Sequence, residues 1–185
     1  MGGGAHGSTV TLMLVAAAGA GLLVATAAAE LPGAAPHRTL RSAWESPDAE
    51  GSYCVAWADW DGDGDPDPAF GDKWDLGLNH VYTNEDGTFV LVWTAPVSDA
   101  TESNGLDWAD WDGDGDLDLA VGNDFDQPNR VYENLGGDLM PAWSSQEAGH
   151  TIGVAWADYD GDGDMDLACA NKGPNRVYEN VPAGD

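Results

Sequence analysis

Residues 110–118 read Asp110-Trp111-Asp112-Gly113-Asp114-Gly115-Asp116-Leu117-Asp118, a comb of carboxylates at alternate positions. Asp110, Asp112, Asp114 and Asp118 stand at positions 1, 3, 5 and 9 of a short loop, with Gly115 at position 6. An all-oxygen donor set at this spacing suits a hard cation. Calcium takes about six to eight oxygens at roughly 2.3–2.6 Å, and a short loop supplies them when every second side chain turns inward. The glycine permits the sharp turn that lets the position-7 carbonyl, here that of Asp116, reach the same ion. The comb recurs as Asp59-Trp60-Asp61-Gly62-Asp63-Gly64-Asp65-Pro66-Asp67 and as Asp158-Tyr159-Asp160-Gly161-Asp162-Gly163-Asp164-Met165-Asp166. One such run could be chance in an Asp-rich chain; three with the same glycines and flanks are a signal.

The elements around the combs decide which kind of loop this is. An EF-hand needs a bidentate Glu at position 12 and a helix on each side. Position 12 is Phe70, Val121 and Cys169 in the three copies. The segments that follow, such as Leu117-Asp118-Leu119-Ala120-Val121, and those that precede, such as Gly153-Val154-Ala155-Trp156-Ala157, have the short apolar alternation of strands. Each comb therefore reads as the connection of a β-hairpin, and the EF-hand reading is set aside.

Combs start 51 residues apart and then 48 apart, at Asp59, Asp110 and Asp158. Periods of this size suggest propellers or arrays. Each unit has a strand before the comb (54–58, 106–109, 154–157), a second short strand after it, a polar loop of variable length and a third strand. The third strands are His80-Val81-Tyr82-Thr83, Arg130-Val131-Tyr132-Glu133 and Arg176-Val177-Tyr178-Glu179, followed by Asn84, Asn134 and Asn180. Turns at Asp86-Gly87 and Gly136-Gly137 lead to a fourth strand carrying Trp93 or Trp143. The last unit has no room for a fourth strand, and its equivalent, Thr39-Leu40-Arg41-Ser42-Ala43-Trp44, stands before the first comb. The expectation is an all-β fold: three four-stranded units of β-propeller-blade type, offset by one strand, forming an open or partial propeller.

At the residues Val55-Ala56-Trp57-Ala58-Asp59 to Asp67, Trp108-Ala109-Asp110 to Asn123, and Val154-Ala155-Trp156-Ala157-Asp158 to Asn171, the sequence resembles the FG-GAP/VCBS repeat family of calcium-loop blades. The trailing runs 129–134 and 175–180 resemble it too. The resemblance covers nearly everything after residue 38. It implies three calcium sites: Asp59, Asp61, Asp63 and Asp67 as side-chain ligands with the Asp65 carbonyl, then Asp110, Asp112, Asp114, Asp116 and Asp118, then Asp158, Asp160, Asp162, Asp164 and Asp166. It implies adhesion, carbohydrate binding or accessory roles beside enzymes, without choosing among them. Two features depart from the family. Pro66 and Pro68 replace the Leu117 and Leu119 of the second unit, so the first blade should be the least well formed. Three blades are also fewer than the four to eight of a propeller.

Composition bounds the rest. The 185 residues carry 33 acids against 6 bases, a formal charge of −27. The combs hold five Asp each, so 15 of the 33 acids sit at ligand spacing, which favours metal over a merely solvated surface. The remaining acid still leaves an acidic exterior, and nucleic acid is a poor partner for that field. Cys54 and Cys169 form no metal-ligand pattern; they read as small buried hydrophobes, with a disulfide open if the protein is exported. Residues 1–29 read as a signal peptide, with an uncharged apolar run from Val10 to Ala29 and A-x-A patterns at 25–27 and 27–29 that set cleavage after Ala27 or Ala29. Its first seven residues lack Lys and Arg, and an uncleaved anchor is the alternative. Residues 30–38 read as a linker, and 39–185 as the repeats.

The aromatics at comb position 2, Trp60, Trp111 and Tyr159, and those ending the first strands, Trp57, Trp108 and Trp156, recur in register and read as packing. Trp74 and Phe125 sit in the variable loops and are the first place to seek a ligand. There is no catalytic constellation: His37, His80 and His150 stand beside no Ser or Cys nucleophile. The chain is therefore expected to be a secreted or cell-surface, non-catalytic calcium-binding module for a protein or glycan ligand. The alternatives are an accessory or catalytic propeller of a polysaccharide-degrading enzyme, and a structural part of a larger surface protein. An open arc of three blades further predicts a homodimer that completes six blades, each N-terminal strand finishing the partner's last blade.

Overall fold

The computed structural model describes residues 38–47, 51–73, 77–99 and 102–181. The expected leader, residues 30–37 of the linker and Trp74 lie outside them. The chain divides into residues 1–42 and 43–185. Residues 38–42 are exposed and hold no regular structure. No helix among the described residues is long and apolar enough to cross a membrane.

Eleven strands among the described residues make three antiparallel sheets, each a meander in chain order. The first is β1 (Ser52–Ala58), β2 (Asp67–Asp72), β3 (His80–Glu85) and β4 (Thr88–Thr94). The second is β5 (Ser103–Ala109), β6 (Asp118–Asn123), β7 (Gln127–Asn134) and β8 (Leu139–Gly149). The third is β9 (Thr151–Ala157), β10 (Asp166–Asn171) and β11 (Arg176–Tyr178). Each comb joins the first two strands of a sheet and closes on an Ala–Asp pair: Ala58 with Asp67, Ala109 with Asp118, Ala157 with Asp166. The turn before β4 has φ of 53° at Asp86 and 87° at Gly87, and that before β8 has 66° and 102° at Gly136 and Gly137. Two successive positive φ values match the twist of a tight hairpin, which is why these dipeptides occur there.

The sheets pack face to face, and the second is covered on both sides. Leu119 and Val121 of β6 join Ala69 and Val81 of the first sheet, while Ala120 and Val131 join Leu167 and Cys169 of the third. All of β6 is buried, as expected of a strand sandwiched between layers. Close approach depends on a missing side chain: a Cβ on Gly122 would stand 2.7 Å from Val154 Cγ1 and 2.8 Å from Thr151 Cγ2.

Two expectations need correction. The third sheet has three strands rather than four, and residues 38–46 form no strand. Trp44 nevertheless packs on the first sheet, 5.3 Å from the Tyr82 ring and 5.2 Å from that of Phe89. The prolines leave a visible mark. Leu119 pairs with Tyr132 and Leu167 with Tyr178, but the corresponding Pro68–Tyr82 rung is missing between β2 and β3, because proline has no N–H to give. Cys54 and Cys169 are free thiols in different sheets. Burial pushes them up to about 12 and about 11 respectively, so they are inert hydrophobes here.

Candidate metal centres

Each comb folds in the same way. Gly64, Gly115 and Gly163, at position 6, have φ of 101°, 100° and 104°, a region that favours glycine. That turn aims the position-6 N–H back at the first carboxylate: Gly64 to Asp59 at 3.1 Å, Gly115 to Asp110 at 3.1 Å, Gly163 to Asp158 at 3.2 Å. The N–H of position 5 donates to the carboxylate of position 3 in all three loops, at 3.2, 3.1 and 3.2 Å.

The result is a nest of three carboxylates per loop. Asp59, Asp61 and Asp67 bring one oxygen each within 4.8 Å of one another, and so do Asp110, Asp112 and Asp118, and Asp158, Asp160 and Asp166. Positions 5 and 7 stand outside these triples. Asp63, Asp114 and Asp162 instead accept from the N–H of Asp65, Asp116 and Asp164 at 2.9, 2.9 and 3.0 Å. The donors are all oxygen and the first two carboxylates of each triple face solvent or its margin, a set that fits a hard divalent cation.

Position 9 is buried and does a second job. Asp118 accepts from Trp111 N and Asn134 N, both at 2.8 Å. Asp67 accepts from Trp60 N at 3.2 Å and Asn84 N at 2.7 Å, and Asp166 from Tyr159 N at 3.1 Å and Asn180 N at 2.8 Å. The carboxylate thus staples its loop to the end of the third strand. Burial pushes the Asp118 carboxyl up to about 6; the two N–H donors pull it down, and Asp112 and Asp114 push it up again. Asp67 is raised chiefly by burial too. Carboxylates held above their usual range by burial and like charge are the surroundings that a bound cation relieves.

The terminal asparagines had no assigned role in the sequence reading, although their recurrence marked them. Asn134 Nδ2 donates to Trp60 O at 3.1 Å and Asn180 Nδ2 to Trp111 O at 2.7 Å, so each ties its blade to the comb of the preceding one. Of the aromatics at comb position 2, Trp60 is buried and stacks on Trp108 with centroids 6.3 Å apart, whereas Tyr159, expected to pack likewise, is exposed.

A second cluster escaped the sequence reading. Lys73, Asp124 and Lys172 follow the second strand in successive units, and their N–H groups donate to Gly51, Glu102 and His150 in the same register. The buried Asp124 carboxylate takes Lys73 Nζ at 3.0 Å, Lys172 Nζ at 2.9 Å and His150 Nδ1 at 2.6 Å. Burial alone would raise its carboxyl, but hydrogen bonds from Lys172, His150, the Phe125 amide and Lys73 hold it far below the usual range. Phe125 is exposed, with Lys73 Nζ 5.1 Å and Lys172 Nζ 5.8 Å from its ring centre. Aligning the units would have shown Lys–Asp–Lys at one position.

No curated protein matches the chain. A family model described as an FG-GAP-like repeat matches residues 71–121 and 110–169, together more than half of the 185 residues. The matched stretches contain the combs at 110–118 and 158–166; the comb at 59–67 precedes them.

Proposed function

Because the chain belongs to the FG-GAP-like repeat family, we propose that it is a secreted calcium-binding module whose three nests each take one calcium ion. Its surface binds an extracellular protein or glycan and catalyses no reaction. The observation that supports the metal is the threefold recurrence of one carboxylate triple, each within 4.8 Å, where isolated acidic clusters would not share a hydrogen-bond plan. The carboxylates of positions 1, 3 and 9 would hold the ion, which would supply the positive charge that offsets their repulsion where the first strand of a blade meets its second and third.

Extracellular calcium modules bind at roughly 10⁻⁴–10⁻³ M, and filling a site to about 100 times its Kd adds roughly 2.7 kcal/mol to stability. Calorimetric titration of metal-stripped protein should therefore count three calcium sites, and EDTA should lower the melting temperature by many degrees. An unchanged melt in EDTA, with calcium shown absent by elemental analysis, rejects the reading.

For the ligand, the exposed Phe125 beside Lys73 and Lys172 is the place to look. A glycan and protein array probed with and without calcium tests it, with Phe125→Ala as the variant that should lose binding. The non-catalytic reading is supported by the engagement of three of the six bases that a polysaccharide lyase could use. Lys73 and Lys172 serve Asp124, and Arg130 Nη2 lies 3.2 Å from Asp99. Turnover of acidic polysaccharides would overturn it.

A further inference from the structure

Each junction between neighbouring sheets repeats one set of contacts. The Trp of the fourth strand meets the Tyr of the next sheet edge-on: Trp93 with Tyr132 at 5.1 Å, Trp143 with Tyr178 at 5.0 Å. The next sheet's asparagine donates back to the comb. The comb aromatic covers the next first strand, as Trp60 covers Trp108.

The two end sheets each carry one unmatched half of this set. On the third sheet Tyr159, the counterpart of Trp60, is 58% exposed. On the first, Trp57 and Val55, the counterparts of Trp108 and Leu106, are 55% and 51% exposed. Asn84 Nδ2 turns to Pro66 O of its own sheet, 3.1 Å away. One part of a junction is already made: Trp44 meets Tyr82 at 5.3 Å and 71°, against 5.1 Å and 71° for Trp93 with Tyr132. Trp44 thus stands where the fourth-strand Trp of a preceding sheet would stand.

The residues before Trp44 fit that strand. Phe89 of β4 and Leu139 of β8 stand four residues before Trp93 and Trp143, and Leu40 stands four before Trp44. Leu40 is fully exposed. The third sheet has the vacancy to match, since no described strand pairs with the outer edge of β11. A cavity lies beneath Trp143 there, lined by Trp111, Trp156, Leu167 and Tyr178.

We infer that two copies of this chain associate head to tail, residues 40–44 of one adding as the outer strand of the third sheet of the other. The register is set by the two complete sheets, where Asn84 pairs with Phe89 and Thr83 with Val90, and Asn134 with Leu139 and Glu133 with Met140. It places Leu40 of the partner subunit opposite Asn180, entering the cavity under Trp143. It places Arg41 of the partner subunit opposite Glu179, an opposite-charge cross-strand pair that the complete sheets lack. Trp57 of the partner subunit then covers Tyr159. Lys172 and the partner's Lys73 meet without opposing free charges, because each is held by Asp124 of its own chain. Closing a ring from the three described sheets alone would turn each through about 120°, outside the four to eight blades that propellers use, whereas the described sheets of two copies make six. A head-to-tail contact that closes after two copies is a ring; one that does not close is a fibre.

Light scattering after size exclusion, in calcium, tests this. The protein should elute at twice the chain mass. Arg41→Glu and Glu179→Arg should each weaken the pair about tenfold, because each places like charges opposite one another at two junctions. The double swap should restore it. Leu40→Asp should give single-chain mass with an unchanged β signal in circular dichroism. A single-chain mass at every concentration overturns the inference, and so does a double swap no better than either single one. Masses that grow beyond two copies overturn the closed pair.

Discussion

Nine carboxylates of the combs carry the nests, and they divide by burial. Asp112 is exposed, whereas Asp118 is buried and holds two backbone N–H groups. Their substitution should therefore separate metal binding from folding. In EDTA, Asp112→Ala removes repulsion together with one exposed hydrogen bond from Asp114 N, which water can replace, and should be near neutral; in calcium it should abolish most of the metal-dependent gain in melting temperature. Asp118→Ala leaves two N–H groups without a partner, at about 1–3 kcal/mol each, and should destabilise under both conditions. Thermal melts of the two variants with and without calcium check this; equal losses in EDTA would show that position 9 is not a staple.

Among the elements, the third strand matters through its last residue. Asn134 donates its N–H to Asp118, accepts the Gly137 N–H at Oδ1 at 2.7 Å and donates Nδ2 to the preceding comb. Asn84 does the first two and then turns back on its own sheet. Asn134→Ala should accordingly cost about 1 kcal/mol more than Asn84→Ala, read from urea denaturation, because it leaves the buried Trp60 carbonyl unpaired whereas the exposed Pro66 carbonyl can turn to water. The first sheet is also the one missing its Pro68 rung, yet it keeps four strands. Its β3–β4 hairpin, set by Asp86-Gly87, and the ring contacts of Trp44, Phe70 and Tyr82 hold the outer strands together.

Across the molecule, the three sheets are tied at both ends. The combs and asparagines tie one end, and Asp124 the other, where Lys73 and Lys172 converge from flanking sheets. Asp124→Ala would leave two ammonium groups facing each other without their counter-ion. Removing one partner of a buried pair costs about 3–5 kcal/mol; with Lys172 half exposed, the lower end applies. Urea unfolding should lose about 3 kcal/mol and cooperativity together, because the sheets then report separately. A sharp transition with an unchanged midpoint would show that the cluster is incidental.

The combs, the strands that flank them and the hairpin turns could all be read along the chain. Their causes are local: alternate carboxylates for a cation, alternate apolar residues for a strand, Asp-Gly or Gly-Gly where φ must be positive. The same locality explains what could not be read. Residues 38–46 have the spacing of a fourth strand but form none in a single chain, because a strand needs an edge to pair with, and the first sheet already has its four. The Lys73–Asp124–Lys172 cluster and the Asn134–Trp60 bond join residues 48 or more positions apart. They depend on how closely the sheets approach, which Gly122 and the packing of β6 decide. Such contacts form only once three layers are stacked, since each sheet buries its second face on a neighbour rather than on itself.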